Sequence, residues 1–230
     1  MIINPYRFGS AAPSLFTEIM SDSPEWYVRL NETSGGTANN ETGGTDGAYS
    51  AGVVLNQPAM YPGGPVCALF EKATNDAVSM GTGFPISTGS ITIMTVIKPT
   101  SLVGVQSIIS KDDGSGARSF QWRANGTSLE WVKIVGGAVG VTKTSVFTAG
   151  VACMLHVTVS SGGAVEFFKD GASIHTATIA GANYATSNIL RVGYSVGAAA
   201  SFEGYMGDCA GFGSVLSSAR IAAHAAAAGF

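Results

Sequence analysis

Charged residues are scarce in this sequence. Asp, Glu, Lys and Arg make up 12% of the 230 residues, about half the usual share, and the formal net charge is -3. Lys and Arg occur singly along the chain, so no basic stripe is available to neutralise the phosphates of a nucleic acid. Low charge is typical of a protein that lies against other proteins. It disfavours both a nucleic-acid partner and a free cytosolic enzyme.

Cysteine is also rare, and the three cysteines are far apart. Cys67, Cys153 and Cys209 do not fit a disulfide framework, which needs an even number, or a zinc site, which needs closely spaced ligand pairs. We therefore predict buried free thiols. An intermolecular disulfide through one of the three is the alternative.

Long hydrophobic runs are absent. No stretch reaches the roughly 18 apolar residues that a membrane-spanning helix needs. Residues 1–9 lack the charged start and the following apolar core of a secretory signal. We therefore expect a protein made in the cytoplasm of a host cell, with no signal peptide and no membrane as partner.

What the sequence does contain, from Glu25 onward, is a series of short β-branched and aromatic runs. Clusters of Gly, Asn, Asp and Ser separate these runs, a pattern typical of many strands joined by turns. Strands are predicted near residues 25–31, 47–55, 65–71, 76–80, 90–98, 105–110, 117–123, 127–134, 139–147, 151–160, 163–169, 172–179, 188–194 and 202–212.

Two segments indicate how these strands pair. Residues 90–98 alternate at first and then become nearly all apolar, as in a central strand whose inner face meets a second sheet. Asp170-Gly171 lies between two β-rich runs, a strong signal for a hairpin. Antiparallel pairing is therefore favoured, and the sequence predicts an all-β fold, a two-sheet antiparallel sandwich.

The two ends of the chain differ from the strand-rich middle. Residues 216–228 predict one short C-terminal helix, with Gly229 as its terminator. The first 24 residues contain three prolines and predict an arm with at most one helical turn, around residues 14–20. We therefore divide the chain into an N-terminal docking segment, 1–24, and one domain, 25–230.

Residues 21–35 resemble the opening of laminin-G-like jelly-roll domains of the concanavalin A-like lectin/glucanase superfamily. In those domains an Asp-x-Pro turn leads into an aromatic strand that ends in Arg-Leu, as it does here. The likeness continues at residues 46–49, 98–99, 170–171, 190–193 and 202–208, and it ends in a Leu-Ser-x-x-x-Ile-x-x-His segment at 216–224. It spans about residues 15–228 and implies a jelly-roll sandwich.

A second resemblance concerns the N-terminal arm. Residues 4–9 resemble the start of tailed-bacteriophage structural proteins that carry such domains, with Tyr6, Arg7 and Phe8 as the candidate docking residues. It implies a non-enzymatic virion protein that decorates the capsid, neck or tail. Its partners would be other virion proteins and further copies of itself, and its location would be the virion.

The alternative function is a carbohydrate-binding adhesion module for host or environmental glycans. Trp122 and Trp131 lie on segments predicted to be neighbouring strands, and an indole can stack on a sugar ring. Phe120 shares a strand face with Trp122, and in a sandwich such a face more often belongs to the core. Both interpretations are open at the level of sequence.

Calcium is the ion that the laminin-G resemblance implies, since such domains hold it at the rim of the sandwich through loop carboxylates. The candidate ligands are Asp46, Asp112 and Asp113. Neither loop has the ligand spacing of an EF-hand, and Asp, Asn and Gly are also the residues that tight turns require. Turn roles are favoured, and we expect no other cofactor.

Catalytic patterns are lacking. A retaining glucanase needs two carboxylates on one strand face, and the nearest acidic pairs, Glu166 with Asp170 and Glu203 with Asp208, have the wrong spacing and are predicted to be water-exposed turn and edge residues. No Gly-x-Ser-x-Gly segment presents a nucleophile. Three separate histidines, His156, His175 and His224, have ordinary structural explanations, so we predict that the chain is not an enzyme.

Overall fold

The computed structural model describes residues 13–82, 89–112, 119–134, 138–179, 187–196 and 200–230. Its elements, in chain order, are α1 (Leu15–Ser21), β1 (Trp26–Val28), β2 (Thr37–Ala38), β3 (Gly47–Tyr49), β4 (Val54–Gln57), β5 (Cys67–Phe70), a 3-10 turn (Lys72–Thr74), β6 (Val78–Ser79), β7 (Ile91–Pro99), β8 (Val105–Lys111), β9 (Phe120–Asn125), β10 (Ser128–Ile134), β11 (Ala138–Lys143), β12 (Cys153–Val159), β13 (Ala164–Lys169), β14 (Ala172–Thr178), β15 (Leu190–Val192), β16 (Tyr194–Ser195), β17 (Ala200–Ser201), β18 (Gly204–Phe212) and α2 (Ser218–Ala228).

Two antiparallel sheets make up the sandwich. Sheet I has the strand order β14-β13-β12-β7-β18-β5-β4, and β1 pairs with β18 beside β5. Sheet II has the order β11-β10-β9-β8-β15-β6-β3-β2. Strands β16 and β17 form a small separate hairpin. The predicted two-sheet antiparallel jelly roll is therefore confirmed.

The core between the sheets explains why the apolar residues alternate. Ile93 and Ile97 of β7 and Val157 of β12 are fully buried on the inner face of sheet I. They meet Ile109 and Trp122, which sheet II contributes from β8 and β9. Cys67, Cys153 and Cys209 are buried and free, as predicted. Each sheet thus buries one face by ordinary period-two patterning.

The predicted strands match the observed ones except where the chain bends. The predicted strand 47–55 is two strands, β3 and β4, and these belong to different sheets. The short strands β2 and β17 were not predicted. A two-residue strand carries too little pattern to detect, because alternation needs about four residues to appear.

Two helices cover one end of the outer face of sheet I. Ser217 caps α2 by accepting a hydrogen bond from the Arg220 N–H, and Gly229 ends it at φ 79°. Helix α1 has seven residues, more than the single turn predicted, because Ser14 caps its N-terminus and it packs on α2. No helix among the described residues is long and apolar enough to cross a membrane.

An ion-pair cluster around Arg220 and a pair of histidines hold the two helices together and on the sheet. The Arg220 guanidinium donates to Asp22 at 2.8 Å and to Glu18 at 2.6 Å, which ties α2 to α1. Below it, His224 Nε2 lies 2.9 Å from Asp22, and His224 Nδ1 lies 3.2 Å from Nε2 of His156 on β12. The layer is therefore joined to the sheet by a buried polar chain as well as by apolar packing.

Candidate functional site

The end of sheet I that the helices leave uncovered carries a row of polar side chains. Thr158 of β12 lies opposite Glu166 of β13, and Glu166 lies opposite Thr176 of β14. Residues directly opposite each other in antiparallel strands project from the same face, with Cβ atoms about 4.5–5.5 Å apart. The row therefore places a carboxylate between two hydroxyl groups on the outer face of the sheet.

This row is the floor of a cavity of about 450 Å³. Ser160 and Ala164, at the turn between β12 and β13, line one end, and Thr178 lines the β14 side. Val215, which is 45% exposed, lines it from the segment that leads into α2. We call this cavity the Thr-Glu groove. Its volume falls within the roughly 300–1,000 Å³ typical of small-molecule sites.

The wall that contains Val215 is held by a threonine of the same row. Thr92 of β7 lies opposite Thr158. Its hydroxyl donates to the Ser214 carbonyl at 2.7 Å and accepts from the Leu216 N–H at 2.9 Å. The residues on both sides of Val215 are therefore fixed to the sheet, and the groove is formed before any ligand arrives.

The groove keeps free hydrogen-bonding capacity. Glu166 Oε1 accepts from the Ser173 hydroxyl, which leaves Oε2 without a partner among the described residues. Within the same described part of the chain, Thr158, Thr176 and Thr178 have no side-chain hydrogen bond. Hydroxyl and carboxylate groups beside a small apolar wall suit a ligand that presents both hydroxyl groups and C–H faces.

The outer face of sheet II carries a second polar cluster, but this one is bonded to itself. Arg123 Nε donates to Glu130 at 2.6 Å, and Arg123 Nη1 donates to Gln121 Oε1 at 2.9 Å. Asn125 donates to the other Glu130 oxygen at 3.1 Å. The guanidinium charge is therefore already matched by a carboxylate on the neighbouring strand.

Two atoms beside that cluster lack partners among the described residues. They are Ser107 Oγ, opposite Arg123, and Gln121 Nε2, and both are fully buried. Buried polar groups without a protein partner are often bonded to ordered water. Because neither atom reaches the surface, this face is a weaker candidate than the Thr-Glu groove.

The sugar-stacking role predicted for two tryptophans is not available in this structure. Trp122 and Trp131 are 0% and 1% exposed and belong to the core between the sheets. Trp131 stacks on Phe120 at 4.7 Å between ring centroids, so its ring face is already occupied. The core interpretation of that strand face is the correct one, because Phe120, Trp122 and Trp131 all lie on the inner side of the pleat.

Two of the residues predicted to bind calcium lie beside strands: Asp46 comes directly before β3 and Asp112 directly after β8. Asp46 accepts the Asn40 N–H at 2.9 Å, and Asp112 accepts the Ser195 hydroxyl in the interior. Among the described residues, no group of three or more His, Cys, Asp or Glu side chains could hold a metal ion. Asp113 lies outside the described residues, as do Tyr6, Arg7 and Phe8.

The prediction that Asp208 is exposed is wrong. Its carboxylate is buried at a bulge in β18, where it accepts the Tyr27 hydroxyl at 2.5 Å and the Tyr61 hydroxyl at 2.6 Å. Burial raises the pKa of Asp208, although both hydroxyl groups and the nearby Arg29 act in the opposite direction. The sequence shows no sign of this, because the bulge brings together residues from distant parts of the chain.

The histidines are not all separate. His156 and His224 are both fully buried and in contact, whereas His175 lies on β14 beside Phe167. Burial lowers the pKa of His156 and of His224. No hydroxyl group of a described residue is hydrogen-bonded to either imidazole, and the chain Asp22–His224–His156 joins the helices to the sheet.

Sequence reasoning considered Glu166 only as half of a catalytic pair and missed Thr158 and Thr176. The sequence contained only a partial signal for the row. Two short turns, at residues 160–163 and at Asp170-Gly171, connect β12, β13 and β14. Counting outward from both turns, however, places Glu166 opposite residues 157 and 175, one position from the observed partners on each strand. The observed register is displaced by one residue at the first turn and by a bulge between Phe167 and Phe168, so the turns alone do not predict the row.

Comparison with known folds agrees with this architecture. A family model described as the concanavalin A-like lectin/glucanases superfamily matches residues 72–222. No curated protein sequence matches the chain. The binding domain of botulinum neurotoxin serotype D is similar in structure, with a TM-score of 0.68 at 10% identity, covering 89% of this chain and 52% of that one.

Two further structures contain sugars. The serotype D ligand-binding domain in complex with N-acetylneuraminic acid has a TM-score of 0.66 at 12% identity, covering 91% of this chain and 52% of that one. The CBM40 of Ruminococcus gnavus IT-sialidase, bound to α2,3-sialyllactose, has a TM-score of 0.53 at 16% identity, covering 60% and 83%. This chain spans about half the length of the neurotoxin chains. By the family match, it belongs to the concanavalin A-like lectin/glucanases superfamily, in its laminin-G-like form.

Proposed function

We propose that the chain is a carbohydrate-binding module and that the Thr-Glu groove is its binding site. The observation that carries the proposal is the row Thr158–Glu166–Thr176, which forms the floor of a cavity of about 450 Å³. Sugars present several hydroxyl groups at fixed spacing, and a rigid row of acceptors and donors on three strands is suited to them.

Two further facts support a binding role. The structural neighbours named above are binding domains, and two of them hold sialic acid or a sialylated sugar. In the groove, Val215 and Ala164 add a small apolar surface beside the polar floor, which suits the C–H face of a pyranose ring. That the chain is not an enzyme remains a prediction alongside this proposal.

A glycan array followed by titration calorimetry tests the proposal. We expect the purified protein to bind a defined subset of glycans. The double variant Thr158→Val/Thr176→Val removes two hydroxyl groups with little change in side-chain volume, and we expect it to bind those glycans at least about tenfold more weakly. Thermal melting of the variant would show that the fold is retained.

The matched control is Thr142→Val, which changes an exposed strand threonine on the outer face of sheet II. It should bind as the unchanged protein does. If the protein bound no glycan on a diverse array, the proposed function would be overturned. Binding that survives in the double variant would place the site elsewhere.

A component of a phage particle remains the second proposal. It depends on residues 4–9, which lie outside the described residues, and the homo-oligomer expected with it depends on the same motif. Mass spectrometry of purified phage particles tests this idea directly, since a virion protein must be present in them. The two proposals are compatible, because an adhesion module can be carried on a particle.

A further inference from the structure

The Thr-Glu groove differs in charge from a site for acidic sugars. Glu166 is the one charged residue among the described residues that line it. It is half-buried at the centre of the floor, where the electrostatic interactions of a carboxylate are stronger than in bulk water. A ligand in the groove therefore meets a negative charge, and the described lining residues include no cation to balance it.

Two cations of the described residues, one on β13 and one on sheet II, are directed elsewhere. Lys169, three residues along β13, donates its ammonium group to the Val146 carbonyl at 2.8 Å on the other side of the strand. Arg123 lies on the other sheet and is bonded to Glu130 and Gln121. The whole chain has a net charge of -3, which adds no attraction for an anion.

We infer that the groove selects amino sugars, that is, glycans with an unacetylated, protonated amino group, and rejects sialylated and uronic-acid glycans. The inference rests on the proposed function and names the ligand class of that same site. The recognising contact is a charge-assisted hydrogen bond from the sugar ammonium group to Glu166 Oε2, while Thr158 and Thr176 bond the neighbouring hydroxyl groups. An acidic sugar would place its carboxylate against Glu166 and lose binding by repulsion.

Three ligands separate the alternatives, and two of them share the same sugar backbone. They are a glucosamine tetramer, the same tetramer fully N-acetylated, and sialyllactose, each titrated into the protein by calorimetry. We expect the glucosamine tetramer to bind about tenfold or more tightly than its acetylated form, because acetylation removes the charge and keeps the backbone. We expect no detectable binding of sialyllactose. We also expect added salt to reduce the difference in affinity between the glucosamine tetramer and its acetylated form.

Substitution of Glu166 tests the residue itself. Glu166→Gln keeps the acceptor for Ser173 and should bring both tetramers to the same affinity. Glu166→Lys should reverse the selectivity toward sialyllactose. The matched control is Glu71→Gln, which changes the net charge equally at an exposed side chain outside the groove and should keep the preference.

The outcomes distinguish this inference from the function on which it rests. Equal affinity for the two tetramers in the unchanged protein, or tighter binding of sialyllactose, would overturn the amino-sugar inference and leave carbohydrate binding standing. A preference that persists in Glu166→Gln would also overturn it. If none of the three ligands bound and no glycan on the array bound, both the amino-sugar inference and the proposed carbohydrate-binding function would be overturned.

Discussion

The outer face of sheet I has two halves, which are built from the same strands but differ in polarity. In one half Met154 of β12, Phe168 of β13 and Val96 of β7 are buried beneath α2. In the other half the same strands present Thr158, Glu166 and Thr92. His156 lies between the halves on β12, where it touches His224 of the helix.

The difference shows how a single sheet face is divided between stability and binding. A helix can cover only part of a nine-residue strand, because α2 has 11 residues and runs across several strands. Where the helix lies, apolar side chains gain by burial. Beyond the helix, Thr92 and Thr158 are buried and Thr176 is exposed, and threonine keeps the strand conformation while remaining polar.

The largest effect on stability should come from removing a buried side chain in the half of the sheet face that α2 covers. Phe168→Ala removes a fully buried aromatic ring from beneath α2, and we expect it to lower the free energy of unfolding by about 3–5 kcal/mol. Urea denaturation measures the loss. A loss below about 1 kcal/mol would mean that the helix layer does not pack on the sheet as described.

The next largest effect on stability should come from acidification, which acts on the two histidines between α2 and sheet I. Burial lowers the pKa of both His156 and His224, with Asp22, Glu18 and Arg220 as the charged groups nearest to them. Below about pH 6.5 the two histidines are therefore protonated in the unfolded chain but stay neutral in the folded chain. The free energy of unfolding consequently falls as the pH falls through that value. Denaturation midpoints measured across this range test the sign.

The double variant His156→Gln/His224→Gln should flatten that pH dependence. His175→Gln is the matched control, since His175 lies outside the helix layer, and it should leave the slope unchanged. If the unchanged protein became more stable on acidification through this range, the two imidazoles would have to be protonated in the folded state. That result would contradict the buried contact between them.

The hairpin turn that supports α2 should be less sensitive than the core. Gly171 has φ 80°, and a Cβ there would lie 2.9 Å from Ala225 Cβ and 3.2 Å from Ala222 Cα. Gly171→Ala should therefore destabilise the protein by about 1–3 kcal/mol, through backbone strain and displacement of the helix. Thermal melting measures it.

A glycine in the turn at the open half provides the contrast. At Gly162 an added Cβ meets nothing closer than Ser160 Oγ at 3.8 Å, and the residue does not have a positive φ. Gly162→Ala should stay within about 0.5 kcal/mol of the unchanged protein. Equal losses at the two glycines would remove the distinction between the halves.

The smallest effect should come from the floor of the groove. Thr176 is exposed on β14 and has no side-chain hydrogen bond among the described residues. Thr176→Ala should change the free energy of unfolding by less than about 0.5 kcal/mol while weakening ligand binding. A large loss of stability would show that the row is part of the structural core.

Much of the fold could be predicted because the strands have strong local patterns. The prediction of 90–98 and 151–160 matches β7 and β12 to within two residues, and the Asp170-Gly171 turn joins β13 to β14 as expected. The pattern of residues 216–228 predicted the terminal helix α2, and the family resemblance added the jelly-roll architecture. These features depend on neighbours in the sequence, and local patterns report them well.

The rest depends on where distant segments meet. Trp122 and Trp131 look the same in sequence whether they face the core or a ligand, since a strand pattern does not say which face is inside. Asp208 became an interior residue because its φ of 46° bulges β18 and brings it to Tyr27 and Tyr61. The groove required register across three strands and a wall from the segment before α2.

The pairing of β1 with β18 has a consequence for how the chain is made. The hydrogen bond from Tyr27 to Asp208 joins residues 181 positions apart, and β18 lies between β7 and β5. Strand β18, at the middle of sheet I, follows the other strands of that sheet in the sequence, so β5 and β7 each have an unpaired edge until β18 is synthesised. Such non-local topology folds in about milliseconds to seconds, so sheet I can form only once β18 is present and not strand by strand.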